Sequence, residues 1–181
     1  MRRQMYALRF RGEAERAGID GSVLRVATGA HGCTICTQIG TEGLNGTVRP
    51  APGDEATLAS EWVFTGPTTF QETGTVVFGT GGHRLHFSTA GSAYLELAAE
   101  DGRRHGAAIW QIEGGEGQFA GAGGLIASTV VLSDAGEITN DQLGLVLVRT
   151  AGGSANGGDS HPQHCASTAG QNLPADGDPI P

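Results

Sequence analysis

Short runs that alternate between apolar and polar side chains, cut by glycine-rich turns, recur along most of the chain. In SAYLELA (92–98), Tyr94 and Glu96 share one face while Leu95 and Leu97 share the other. In RLHFS (84–88), Leu85 and Phe87 oppose Arg84, His86 and Ser88, and in GAAIWQI (106–112) Trp110 faces with Ala108 and Ile112. A period of two is the signature of a β-strand with unlike faces. On this pattern strands are predicted near 21–27, 33–39, 44–49, 58–65, 73–78, 84–89, 92–98, 106–112, 124–132 and 142–148, not all of them required. Turn chemistry separates several: 50–53, 79–82, 101–102 and 134–136. Helix signals are poor, and only RGEAERAGI (11–19), inside a leader spanning 1–20, predicts a short helix, stopped by Gly18.

From Thr150 the character changes. Residues 150–181 have almost no apolar side chain able to offset the entropy of ordering, so they read as a disordered tail. The body is then one domain, 21–149, with no long helix to cover parallel strands. Short strands and tight connections predict an all-β fold, an antiparallel sheet closed as a barrel or failing that a sandwich.

Composition narrows the chemistry. The chain of 181 residues has a formal charge of −8, and all 11 of its basic residues are arginine. Without lysine there is no Schiff base, lysine base or P-loop. Six arginines lie within the first 25 residues, at 2, 3, 9, 11, 16 and 25, leaving an acidic remainder that disfavours nucleic acid. A solvated leader is the plainer account of those arginines. No stretch reaches the ~18 apolar residues of a membrane span, and no apolar core of a secretory signal follows the basic start. Three cysteines make no disulfide framework, so a reducing cytoplasm is the simpler setting.

Glycine is 31 of 181 residues, against roughly 7% in ordinary domains. Its densest run, WQIEGGEGQFAGAGG (110–124), contains Gly115-x-Gly117-x-x-Ala120, the spacing of a dinucleotide loop. Such a loop must open a helix whose first amides meet the pyrophosphate. Here Gly121, Gly123 and Gly124 oppose a helix, and Thr129, Val130 and Val131 favour a strand. The run is therefore expected to join two strands, with Phe119 anchoring the loop inward. Cys33 and Cys36 have metal or redox spacing, with His31 nearby and His161, His164 and Cys165 in the tail. Strand residues three apart face opposite sides, so no metal is expected.

Periodicity separates the two faces of each strand without saying which lies inside. Aliphatic faces inward would leave Tyr94, Glu96 and His86 in solvent. The reverse would gather Tyr94, Glu96 and His86 near Trp110 in an apolar chamber, the usual form of a small-molecule site. Glu72, before Thr73 and Gly74, orients a substrate or caps a turn. The candidates are thus Tyr94, Glu72 and Glu96 for catalysis, and Trp110, His86, Phe87 and Phe119 for substrate contact.

FQETGTVVFGTGGHRLHFST, HGAAIWQIEGGEGQFAGAGGLIAST and GEITNDQLG resemble the allene oxide cyclase-like barrel family, related to dirigent proteins, over roughly 58–149. The most specific piece, from Gly114 to Gly124, is similar to a GGTGxFxGAxG hairpin, with Glu116 where threonine is common. The resemblance implies an eight-stranded antiparallel β-barrel with a hydrophobic cavity, assembled as a homodimer or homotrimer. It implies a cofactor-independent cyclase or isomerase of natural-product biosynthesis acting on a hydrophobic small molecule, extending to [4+2] cyclisation of a linear polyketide for antibiotics. No catalytic residue is carried over. The alternatives are a non-catalytic barrel holding an apolar ligand and a structural module filled by its own side chains.

Overall fold

The computed structural model describes residues 1–18, 22–98 and 102–149. Nine strands succeed one another: β1 (Arg2–Ala17), β2 (Val23–Gly40), β3 (Gly43–Phe64), β4 (Thr69–Phe78), β5 (His83–Thr89), β6 (Ala93–Leu97), β7 (Arg103–Glu116), β8 (Ala122–Ser133) and β9 (Glu137–Val148). All pairings are antiparallel. Alternation decides which face is buried. Along β9, Ile138, Asn140, Gln142, Gly144, Val146 and Val148 lie on the buried face, and the residues between them are more exposed. Along β3, Ala56, Leu58, Ser60 and Trp62 do the same. Removing this apolar surface from water is the main force closing the sheet on itself.

The expected eight-stranded β-barrel is not the architecture found. A single nine-stranded sheet runs in the order β3-β2-β1-β9-β8-β7-β5-β4-β6, and further hydrogen bonding joins β3 to β4 and β7 to β6. The ladder returns on itself through β3 and β4, but its members are unequal, from 5 residues in β6 to 22 in β3. Beyond the Arg11–Gly29 pair, β2 parts from β1 and continues with β3 alone, as a ribbon that turns at Thr41 and Glu42.

Two local expectations also fail. In place of the expected leader with a helix at 11–19, Arg2–Ala17 is strand β1, lying between β2 and β9. Arg11 to Glu13 pair on both edges and Ala14 to Ala17 with β2, and this pairing outweighs helix propensity. Pro50 to Gly53 is no turn. Pro50 pairs with Cys33 inside β3, across an irregularity between His31 and Cys33, so the strands predicted at 33–39 and 44–49 are the distal halves of β2 and β3. The predicted tail, 150–181, lies outside the described residues.

The glycine run behaves as a sheet connection. After β7 comes one 3-10 turn, Gly117–Phe119, and then β8, which pairs back on β7. Gly117 adopts φ +63°, and a side chain there would meet the ring of His83. Phe119 is buried, its ring 5.1 Å from that of Phe78. No helix offers amides to a phosphate here.

Candidate functional site

The inward face of β4 places one carboxyl among aromatic rings. Glu72 is 1% exposed, and its Oε2 accepts a hydrogen bond from Trp110 Nε1 at 3.0 Å. Trp110 is stacked on Phe87 with centroids 3.9 Å apart, and Trp62, the register partner of Glu72, is stacked on Phe70 at 4.3 Å. Thr89 fixes the backbone of this position: its hydroxyl accepts from Glu72 N–H at 2.8 Å and lies 3.1 Å from Glu72 O. Glu72 Oε1, Ser60 Oγ and Trp62 Nε1 are buried without hydrogen-bond partners.

Burial pushes the Glu72 carboxyl up to about 7, because the apolar surroundings disfavour its charge. Ser60, Trp62 and Trp110 hold the rise back. Of these, Trp110 alone makes a hydrogen bond, since Ser60 Oγ and Trp62 Nε1 fall outside bonding geometry. A carboxyl poised near neutrality can either donate or accept a proton. Further inward polar groups come from β9, β8, β2 and β1. Ser128 donates to Asn140 Oδ1 at 3.2 Å, and Tyr6 to Gln142 Oε1 at 3.3 Å. Burial pushes the Tyr6 phenol well above its ordinary value. Thr28 Oγ1 and Gln142 Nε2 are also buried without partners.

The sequence candidates divide between the two faces. Glu72, Trp110, Phe87 and Phe119 point inward. Tyr94 and Glu96 do not reach the interior. They lie on the outer face of β6, Tyr94 half exposed, because Ala93 and Leu95 take the inward positions. His86 likewise lies outside, its Nδ1 3.1 Å from Thr75 Oγ1 and its Nε2 3.3 Å from Glu116 Oε1. The gathered Tyr94–Glu96–His86 group is therefore replaced by Glu72 with Trp110, Trp62 and Ser60. Ser60, Trp62, Asn140 and Gln142 were missed as site residues. Their signal was present, since each falls in phase with the apolar alternation of its strand. Among the described residues no group of three or more metal-binding side chains is found. His161, His164 and Cys165 lie outside the described residues.

Two cavities bear on access. One, of about 220 Å³, opens at the end of the sheet between Ala14, Leu24, Phe64, Leu95, Leu132 and Arg104. The other, about 540 Å³, lies on the outer face beside Arg9, Arg11, His31 and Glu55. Neither is lined by Glu72. The end cavity approaches it through aromatic rings: Phe64 lies 6.0 Å from Phe70, which covers Trp62.

No family model, curated protein or solved structure matches the chain. The expected designation as a β-barrel isomerase or cyclase of polyketide and antibiotic biosynthesis is accordingly withdrawn. Its architecture is replaced by the nine-stranded sheet, and no relative ties the chain to such a pathway. No helix among the described residues is long and apolar enough to cross a membrane.

Proposed function

We propose that the protein admits a small, hydrophobic molecule through the end cavity and moves a proton on it with Glu72, using no cofactor. The carrying observation is the Glu72 carboxyl, 1% exposed, bonded through one oxygen to Trp110 while its other oxygen has no partner. Burying a carboxyl with an unpartnered oxygen is costly, and a fold that keeps one calls for a reason. Trp110, Phe87, Trp62 and Phe70 supply flat apolar walls around it, and the Phe64–Phe70 contact is the gate that must part to admit a guest. Positioned acid–base groups contribute roughly 10²- to 10⁴-fold in rate, more so where water is excluded.

A test that presumes no natural substrate uses 5-nitrobenzisoxazole, a flat apolar molecule. A carboxylate removes its C3–H proton, the released electron pair completes a C≡N bond as the N–O bond breaks, and the ring opens to 2-cyano-4-nitrophenolate. The expected result is saturable turnover that rises with pH to a plateau, with a midpoint near the value of about 7 set for Glu72, and quenching of tryptophan emission on binding. Glu72→Gln is expected to lower the rate by at least about a hundredfold. Equal rates in the variant, or a rate no greater than that of free acetate, would reject the proposal. Quenching that survives in Glu72→Gln without turnover in either protein would favour the non-catalytic, ligand-holding alternative.

A further inference from the structure

The outer-face cavity lies where the sheet divides. β1 pairs with β2 from Arg11 to Ala17, and past Gly29 β2 leaves with β3. The resulting crevice is lined by Arg9 and Arg11 of β1, Gly29 to Cys33 of β2, and Val48, Pro50 and Glu55 of β3. The Cys33 thiol donates to Ala7 O at 3.0 Å, which ties the departing ribbon back to β1. Its volume of about 540 Å³ falls within the roughly 300–1,000 Å³ of small-molecule sites.

The charges in this crevice are unequal in their freedom. Arg9 is held by Asp141, with Nε and Nη2 donating to its two oxygens at 2.6 and 2.9 Å. Among the described residues Arg11 and Glu55 have no ion-pair partner, although both flank Gly29. Arg11 is the register partner of Gly29, and the Glu55 carboxylate leans over the place a Gly29 side chain would fill. One free cation and one free anion therefore stand in a single crevice without reaching each other. The walls beside them, Ala30, Val48 and Pro50, are apolar.

We infer that this crevice binds an apolar α-amino acid in its zwitterionic form. The guanidinium fork of Arg11 takes the carboxylate, Glu55 takes the ammonium group, and Val48 and Pro50 receive the side chain. Arginine suits the first role because its paired N–H groups match the two carboxylate oxygens. Glycine at 29 lets the Glu55 carboxylate settle against β2 opposite Arg11, since any side chain there would collide with it. This site is separate from Glu72 and does not depend on the proposed proton transfer.

Isothermal titration of the full chain with L-leucine, 4-methylpentanoate and 3-methylbutylamine tests it. Leucine is expected to bind once per chain, and each analogue, lacking one charge, at least about tenfold more weakly. Arg11→Gln should abolish the preference for leucine over the amine, and Glu55→Gln the preference for leucine over the acid. Val48→Asp, on the exposed wall, should weaken leucine without altering the circular dichroism. Glu72→Gln should leave leucine binding unchanged. Absence of saturation at millimolar leucine, equal binding of the analogues, or loss of binding in Glu72→Gln with retention in Arg11→Gln would overturn the assignment.

Discussion

Glu72 ties the stability of the protein to pH in a direction opposite to that of most carboxyls. The unfolded chain releases this proton around its ordinary 4.5, while the folded protein retains it until about 7. Between those values the native state binds the extra proton, so stability is greatest below the window and falls as pH rises through it. The span corresponds to a loss on the order of 3 kcal/mol, flattening above neutrality. Urea unfolding at about pH 5 and about pH 8 should register that loss in the wild type and a much smaller difference in Glu72→Gln. An unchanged difference would place the titration elsewhere. The identity of this residue was within reach of the sequence, but its importance was not. QET reads equally as a turn cap or a strand position, and only the pairing of Glu72 with Trp62 fixes its side chain inward. Tyr94 and Glu96 misled for the complementary reason: their face is as regular as that of Ala93 and Leu95, and burial follows the aliphatic side.

The β7–β8 connection is the element where composition told most. Strand, glycine turn and strand were legible because no run of helix formers follows Gly121, and the structure replaces a helix with a single 3-10 turn. What the sequence could not convey is why particular glycines are needed. Gly124 sits at φ +135°, and a β-carbon there would collide with the carbonyl oxygen of Leu145 on β9. Gly123, its neighbour, faces open space. Gly124→Ala should therefore destabilise the fold by about 1–3 kcal/mol, while Gly123→Ala should cost less than about 1. Chemical denaturation of the two variants distinguishes them, and similar losses would contradict the close approach of β8 to β9. β1 shows the opposite case. Its charged residues suggested a solvated leader, yet Leu8 and Phe10 are buried, and pairing along both edges was invisible without β2 and β9.

Across the whole molecule, strand number and order escaped the sequence because they depend on partners remote in the chain. β1 meets β9 from Arg2–Val148 to Glu13–Glu137, the longest-range pairing in the sheet. The distal halves of β2 and β3 belong to no such closure. Ile39 and Leu44 face each other there at 84% and 74% exposure, and a lone two-stranded ribbon is marginal in water. Hydrogen exchange should accordingly protect amides of 56–64 far longer than those of 43–49, although both belong to β3. Equal protection would mean that the ribbon is covered in solution.

The pairing of Arg2 with Val148 has a practical side. The outer ends of β1 and β9 meet at the rim beside Phe78 and Phe119, while the small cavity edged by Ala14 and Leu132 lies at the other rim, about 40 Å away at the rise of a twelve-residue strand. A tether attached at Met1 would therefore start from the rim opposite that cavity. Immobilising the protein through Met1 thus becomes a means of presenting the cavity rim to solution.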